Sequence, residues 1–528
     1  MDFPPVLTWA VILAPAALMA VTATWPQPRD GRAEPPWRRF RLLSGAALAC
    51  ALAALALTST GLSGQPATGP SPWLEPTALG AGLALLVQLL GTVIGVFSGR
   101  YLQGETGQPR YVAALAGVLA AVHVLLLAGH WLVLIAAWAA VGVALQRLLC
   151  FYPDRPFALL AAHKKRLADR LADVLLLVAA ALAWSDVGSG SLADLRQHLA
   201  QAGASPLLQA SAGCLAFAVV LRTALLPAHG WLIQVMEAPT PVSALLHAGV
   251  VNLGGYVLIR FAPLLEAAAV ARWLLVGFGL GTALLAGLVM LTRVSIKVRL
   301  AWSTVAQMGF MVLECGLGLY TLAALHLIGH SLYKAHAFLS ASSVVRDTRL
   351  RGMQGSSAFS PWSLVAAPVL SASIVWLVPG PGAHAAWPWW WSGILALAWA
   401  PLLWLPARRG GDASATGWRA AAGLGMVAGL TLVARLVHEL PLGLQDRPDA
   451  HAGPAALIGT ALMYLCLVTL QLRPRALEGW RRWSYAGFYV DELSTRLALR
   501  LWPTRWTPAR SRASLPTPGG PAAVPALK

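Results

Sequence analysis

The sequence predicts an all-α, polytopic membrane protein with about 15 transmembrane helices. Of its 528 residues, 57% are hydrophobic and 11% are charged, whereas charged residues make up about 25% of a typical soluble domain. Because a bilayer core about 30 Å thick needs about 20 apolar residues per helix, the apolar positions suffice for about fifteen spans. The segments between the spans are short, which excludes a separate soluble catalytic domain.

Fifteen apolar runs define the predicted spans. They lie near residues 5–25, 40–62, 77–97, 111–128, 129–151, 171–187, 206–226, 240–261, 266–291, 301–319, 321–345, 361–379, 389–406, 418–437 and 455–472. We interpret the first run as a retained helix rather than a signal peptide, because its start is acidic and no A-x-A-like cleavage site leads into a soluble domain.

The sequence between and after these runs predicts segments that lie outside the membrane-spanning helices. The linker 61–76 is rich in glycine, proline and serine, which indicates an outer loop. The stretch 473–506 mixes arginine with aromatic residues and leucine, and predicts one or two amphipathic helices on the cytoplasmic surface. The proline-rich end from Thr507 predicts disorder.

The positions of the basic residues predict the orientation of the chain. With the N-terminus outside, 32 of the 39 lysine and arginine residues lie in or beside inner connections, and five lie near the other side. The positive-inside rule predicts such a bias, so we expect an outer N-terminus and a cytoplasmic C-terminus. The net charge of +18 does not indicate a nucleic-acid partner, because the basic residues stand between apolar runs.

Cysteine usage argues against a metal or redox site. The five cysteines lie far apart in or beside apolar segments: Cys50, Cys150, Cys214, Cys315 and Cys466. They form no CxxC pair, which argues against iron–sulfur, zinc-finger and disulfide frameworks. We therefore expect no metal and no cofactor in this chain.

The strongest group of candidate functional residues is the motif H-L-I-G-H-S-L-Y-K-A-H, which begins at His326. His326, His330 and Lys334 are four residues apart, so on a helix they share an arc of about 80° and are spaced about 6 Å apart along the axis. Ionisable groups at membrane depth are expensive and rare, and histidine titrates near neutrality. Joined by water molecules, these groups could pass a proton.

Two other interpretations of this motif stay open. The histidines could bond neighbouring carbonyls and simply lock helices together, or two of them could hold a metal ion. No carboxylate or cysteine lies nearby in sequence to complete a metal site. We favour the proton relay because three titratable groups share one helix face.

A second group of candidate residues surrounds an interrupted helix. Pro227, Gly230, Pro239 and Pro241 break the helical pattern that follows Arg222. Proline removes a backbone hydrogen bond, so the freed carbonyls must face protein or water. Broken helices near the membrane centre commonly mark ion sites in transporters.

Charged and titratable residues flank this break. Glu237 could pair with Arg222 or with a cation from another helix, and His247, two turns into the next span, could receive a proton. A purely structural Arg222–Glu237 ion pair is the alternative.

Three motifs resemble the proton-translocating antiporter family, which includes the antiporter-like subunits of respiratory complex I and of multisubunit sodium/proton antiporters. They are M-E-A-P-T-P-V-S-A-L-L-H (236–247), S-I-K-V-R-L-A-W-S-T-V-A-Q-M-G-F (295–310) and H-L-I-G-H-S-L-Y-K-A (326–335). The similarity covers roughly residues 75–410. It also implies a proton-transfer step at Lys297, on the cytoplasmic side.

The resemblance implies two five-helix repeats of inverted topology, each with a broken helix, at 107–265 and 266–410. N-terminal helices at 1–106, additional helices at 411–472 and a surface segment with a tail at 473–528 would flank the repeats.

The sequence departs from this family at three positions. Complex I subunits carry an acidic residue after the tryptophan of the fifth helix, whereas here Ala139 follows Trp138. The lysine that pairs with that acid is replaced by Arg222, which cannot realistically release its proton and would act as a fixed charge. Glu314 stands where the resemblance leads us to expect an amide, and it is a further candidate proton site.

Other segments are similar to the DabB family, the membrane subunits of bacterial inorganic carbon pumps. They are F-Y-P-D-R-P (151–156), A-A-H-K-K-R-L-A-D-R-L-A-D (161–173), A-H-G-W-L-I-Q-V-M-E-A-P-T-P-V (228–242) and Y-A-G-F-Y-V-D-E-L-S-T-R-L-A-L-R-L-W-P (485–503). This resemblance implies a location in the bacterial inner membrane with a periplasmic N-terminus. It also implies a partner, a DabA-like cytoplasmic zinc protein related in its site chemistry to β-carbonic anhydrases.

These observations lead us to expect a proton-conducting transporter subunit, not an enzyme, whose proton flux drives CO2 hydration in the zinc-containing partner. The expected pathway residues are His326, His330 and Lys334 as carriers, His247 as a junction, Arg222 and Glu237 as gating charges, Lys297 as a cytoplasmic-side step, and Glu314. The alternative is an antiporter-like subunit of an NADH:quinone oxidoreductase or of a multisubunit cation/proton antiporter. A structural platform also stays possible, whereas a lipid-modifying enzyme would need clustered carboxylates or a nucleophile that we do not find.

Overall fold

The computed structural model describes residues 5–25, 36–59, 72–341, 359–378, 387–407, 413–473 and 475–504. Within these ranges the chain is helical, with isolated β-bridges such as Leu74 with Ala128 and no strand. The tail from Thr507 and most of the linker 61–76 lie outside the described residues.

The described helices follow one another as predicted from the apolar runs. They are α1 (Pro5–Thr24), α2 (Pro36–Ser59), α3 (Ala78–Tyr101), α4 (Gln108–Leu126), α5 (Trp131–Leu149), α6 (Pro156–Val187), α7 (Leu192–Ala202), α8 (Pro206–Arg222), α9 (Gly230–Gln234), α10 (Thr240–Ala248), α11 (Leu253–Arg260), α12 (Ala262–Ala267), α13 (Ala269–Leu291), α14 (Ile296–Gly316), α15 (Tyr320–Leu339), α16 (Pro361–Leu377), α17 (Trp389–Trp399), α18 (Ala413–His438), α19 (Ala452–Leu472), α20 (Glu478–Tyr485) and α21 (Val490–Leu501). Each of the fifteen runs falls on one or more of them. Helix α6 begins at Pro156, well before the predicted span at 171–187. Its charged first half is helical as well and precedes the apolar run.

The architecture is that of a multi-pass membrane protein. In the described part of the chain, nine helical segments are long and apolar enough to cross a membrane, and three shorter apolar helices accompany them. The all-α polytopic class is therefore confirmed, while the count of fifteen and the two inverted repeats stay predictions.

Helices α10 and α11 form the centre of the bundle. Of the span Thr240–Arg260, 94% is buried inside the protein, against 11% of α19. Helix α10 packs between α3 and α15, and α11 contacts α8 and α14. The residues of α10 therefore face protein rather than lipid.

Helices α13 and α14 cross at unusually close range. A methyl group added at Gly279 would lie 2.7 Å from the carbonyl oxygen of Gly309, and one at Gly309 would lie 2.7 Å from the amide nitrogen of Ala283. Such close packing requires small residues, as is usual between transmembrane helices. It holds α14, and the polar residues on it, firmly in place.

The predicted helix break is present between α8 and α10. Helix α8 ends at Arg222, and α9 begins at Gly230 and leads through a 3-10 turn at Val235–Glu237 into α10. The Leu226 amide donates to the Thr282 hydroxyl at 3.2 Å, so a neighbouring helix satisfies part of the freed backbone.

A partly buried ion cluster of Glu75, Arg196 and Arg260 lies at the end of the bundle where α3 and α7 begin and α11 ends. We name this end of the bundle the acidic face. Glu75 accepts hydrogen bonds from Arg196 at 2.6 Å and from Arg260 at 2.9 Å. Burial disfavours ionisation of Glu75, but Arg260 and Arg196 outweigh it and hold the pKa of that carboxyl below its usual value of 4.5. The other end, where α6 begins and α20 and α21 lie, is named the basic face.

We expect the Glu75→Gln variant to be less stable than the wild type by about 1–3 kcal/mol at pH 7, because it leaves the buried Arg260 without a charged partner. A carboxyl whose pKa is lowered on folding stabilises the protein above its unfolded pKa and loses that effect as the pH falls. The stability difference should therefore shrink below pH 4.5. Thermal unfolding in detergent measures it, with the exposed Glu105→Gln as control; equal midpoints at pH 7 would contradict the prediction.

Candidate proton pathway

Helix α15 carries a polar face that points into the bundle. His330 and Lys334 are buried, and His326 is nearly so. The imidazole rings of His326 and His330 lie 6.1 Å apart between centroids. The structure thus brings together the three residues that the sequence places on one face, whereas His336 of the same motif is exposed.

Glu314 on α14 forms the end of this row towards the acidic face. Its carboxylate Oε2 lies 2.8 Å from His326 Nδ1, and its side chain is only 4% exposed. A carboxylate that receives one imidazole N–H fixes the orientation of the ring and leaves the other nitrogen to accept or release a proton. Glu314 therefore belongs to the polar row and is not an isolated buried charge.

Lys334 lies at the other end of the row, without an acidic partner. Its ammonium donates to the Ser303 hydroxyl at 2.9 Å and to the Leu300 carbonyl at 3.0 Å. No ion pair of Lys334 occurs among the described residues. A buried charge with only neutral acceptors is costly, so this is a position where proton release is favourable.

His247 on α10 faces the same row. It is fully buried and stacks on Phe338 of α15, with ring centroids 4.6 Å apart. Neither nitrogen of His247 or of His330 has a hydrogen-bond partner among the described residues. Buried polar groups are normally satisfied by protein or by ordered water, so these imidazoles are suited to bind water molecules.

The same finding bears on the alternative in which the histidines bond neighbouring carbonyls. No such bond is present for His247 or His330 in the described part of the chain, and His326 bonds a carboxylate. The described contacts of His326 and His330 thus give no support to helix locking through backbone carbonyls.

Lys297 lies at the start of α14, towards the basic face. Its ammonium donates to the Thr240 hydroxyl, at the start of α10, at 2.9 Å. Lys297 therefore links α14, which carries the acceptors of the Lys334 ammonium, to α10, which carries His247.

Arg222 pairs with Asp173 of α6, so the Arg222–Glu237 pairing considered from the sequence is wrong. The Arg222 guanidinium also donates to the Trp138 carbonyl at 2.8 Å and lies 4.7 Å from the Trp138 ring centroid. Glu237 is exposed at the basic face, where its backbone carbonyl accepts a hydrogen bond from Arg155. The helix break turns Glu237 away from Arg222.

A row of charges along α6 was missed by the sequence analysis. Lys165 pairs with Asp169 one turn away, and Asp173 with Arg222 one turn further. The spacing of four residues in A-A-H-K-K-R-L-A-D-R-L-A-D could have indicated a shared face. Asp173 supplies from α6 the carboxylate that the sequence lacks at Ala139.

A helical membrane bundle with a broken helix, and with titratable side chains buried around the break, has the arrangement of an ion-transporting membrane protein. The profile of the family described as "NADH:quinone oxidoreductase/Mrp antiporter, TM" matches residues 128–379. The chain is 40% identical over 449 residues to the "Probable inorganic carbon transporter subunit DabB" of Hydrogenovibrio crunogenus, covering 82% of this chain and 84% of that protein. It therefore belongs to the DabB family, which confirms the resemblance of its motifs.

A second relative agrees with this assignment, and a solved structure shows a shared fold. Subunit DabB2 of Halothiobacillus neapolitanus is 37% identical over 467 residues, covering 84% of this chain and 83% of that protein. The solved structure of the Mrp complex from Dietzia sp. matches with a TM-score of 0.55 and 22% identity, covering 94% of this chain and 55% of the matched chain. The second match shows a common fold.

Proposed function

We propose that this protein is the proton-conducting membrane subunit of an inorganic carbon transporter in the bacterial inner membrane. The observation that carries the proposal is the buried Lys334 ammonium, which has neutral acceptors only and ends a row of titratable groups that starts at Glu314. Membership of the DabB family supports inorganic carbon as the transported substrate.

In the proposed pathway, protons enter from the acidic face at the Glu314–His326 pair. His330 accepts them through water and passes them to Lys334, and His247 connects the row to the centre of the bundle. An imidazole can take a proton on one nitrogen and release one from the other, which suits His326 and His330 to this task. Lys297 offers a step towards the basic face.

In the first half of the bundle, Arg222 is proposed to act as a fixed charge. A guanidinium keeps its proton at any physiological pH, and Asp173 balances its charge. Glu237 is exposed at the basic face and is not the gating partner of Arg222, whose guanidinium pairs with Asp173.

The proposed orientation and partner follow from charge and family. The excess of lysine and arginine on the basic face supports a cytoplasmic position of that face, with the N-terminus periplasmic. The partner would be a DabA-like cytoplasmic zinc protein, in which the downhill proton flux drives CO2 hydration to bicarbonate. This chain would carry no hydration chemistry itself.

Uptake of radiolabelled inorganic carbon by cells that contain this protein and its partner tests the function. We expect accumulation that a protonophore abolishes. Vesicles that contain the purified complex should also show proton flux. This flux should not require NADH, quinone or sodium. Flux that requires quinone reduction or sodium, without carbon accumulation, would instead support the complex I-like or antiporter subunit.

A further inference from the structure

The C-terminal segment, residues 478–501, reaches from the basic face into the opening left by the broken helix. It comprises α20, a 3-10 turn at Gly487–Tyr489 and α21, and it follows the antiporter-like region matched at 128–379. Helix α21 contacts α6 and α9. The segment thus touches α9, which lies within the break, and the neighbouring helix α6.

The turn between α20 and α21 is held in an unusual conformation. Phe488 and Tyr489 both have φ of 56°, a region that residues with a Cβ rarely adopt. Trp480 packs on Phe488 with ring centroids 5.1 Å apart, and Trp483 packs on Tyr489 at 5.9 Å. Such a conformation persists where surrounding contacts enforce it, and here it directs the first turn of α21 into the bundle.

That first turn carries Asp491, which is bound on two sides. Its Oδ1 accepts a hydrogen bond from the Lys164 ammonium at 2.5 Å, and its Oδ2 accepts one from the Gln234 amide at 2.8 Å. Lys164 also donates to the Thr495 hydroxyl, one turn along α21, at 2.7 Å. Asp491 keeps 24% of its side-chain surface exposed, whereas Lys164 keeps 7%, so the carboxylate borders both solvent and the protein interior.

Asp491 lies directly against the broken helix. A methyl group at Gly230 would come within 1.4 Å of its Oδ1, so the carboxylate occupies the space that any side chain there would need. The preceding residue, His229, is fully buried beside the Pro227 backbone. The charges of Asp491, Lys164 and Arg293 all act on His229.

His229 in turn leads towards the buried lysine. Its ring lies 4.9 Å from the Trp302 ring between centroids. Trp302 precedes Ser303, whose hydroxyl accepts the hydrogen bond from Lys334. One short stretch of α14 therefore contacts both His229 and Lys334.

We infer that Asp491 is a proton-transfer residue, which exchanges protons between the solvent at the basic face and His229. This inference rests on the proposed function. A proton that leaves Lys334 would pass through water to His229 and then to the Asp491 carboxylate, which becomes neutral and then releases the proton to solvent. Lys164 and Gln234 hold the carboxylate in position and keep their own protons.

Proton flux into vesicles that contain the wild type, Asp491→Asn or Asp491→Glu tests this inference. We expect Asp491→Asn to lose at least about tenfold in flux and Asp491→Glu to restore it, since only the second keeps a titratable group. The exposed neighbour Glu492→Gln is the matched control and should conduct like the wild type. Asp491→Asn keeps one oxygen that can accept from Lys164 but removes the charge partner of that buried ammonium, so its thermal stability should fall. Flux is therefore compared per amount of folded complex, and Asp491→Glu, which keeps the charge, should recover both stability and flux.

A purely structural role of Asp491 makes a different prediction. Formate is a small weak acid and should restore flux in Asp491→Ala if the variant lacks only a proton acceptor, whereas chloride should not. If Asp491 only positions its neighbours, formate should give no such rescue. Wild-type flux in Asp491→Asn, with flux still lost in Lys334→Met, would overturn the inference and leave the proposed function standing. Flux that is unchanged in Lys334→Met as well would overturn both.

Discussion

The Lys334→Met variant should conduct no measurable protons and should fail to accumulate inorganic carbon, with a loss of flux of about 100-fold or more. Lys334 is fully buried between His330 and the Ser303 hydroxyl, where no other titratable group of α15 can replace it. Methionine is unbranched and of similar length, so it fills the same space.

The same substitution should leave the protein folded and assembled with its partner. The variant removes a buried charge that has no acidic partner, so its thermal stability should equal or exceed that of the wild type. His336→Gln is the matched control, because His336 belongs to the same motif but is exposed. Normal carbon uptake by Lys334→Met would refute the proton relay.

The second large effect concerns the Arg222–Asp173 pair. Asp173→Asn leaves a buried guanidinium without a charge partner, and breaking such a pair costs about 3–5 kcal/mol. We expect a clearly lower unfolding temperature in detergent, whereas Asp154→Asn, in the exposed loop before α6, should have little effect.

The double variant Arg222→Met/Asp173→Asn separates the structural from the functional role of this pair. Neutralising both partners should recover most of the lost stability, since no uncompensated charge remains. If Arg222 acts as a fixed charge in conduction, proton flux should stay low in spite of the restored stability. Wild-type flux in the double variant would show that the pair is structural only.

The fold could be predicted from the sequence because apolar runs of bilayer length admit only helices. The first half of α6 escaped this reasoning, since a window with Lys164, Lys165 and Asp169 is too polar to count as a span. Its charges are tolerated because they pair with each other and with α21. Hydropathy cannot show such pairing.

The candidate site was only partly predictable for a related reason. His326, His330 and Lys334 follow one helical period, so their common face could be read from spacing alone. The partners of Arg222 and Lys164 lie 49 and 327 residues away in sequence. Nothing in the local pattern selects Asp173 over Glu237, because the choice depends on how the chain turns at the break.

The near-complete enclosure of α10 and α11 has a consequence for how the protein responds to its membrane. Since 94% of their span touches other parts of the chain, a change in lipid thickness or fluidity acts first on peripheral helices such as α19. The rim of the molecule can thus adapt to different lipids while its interior keeps a constant geometry.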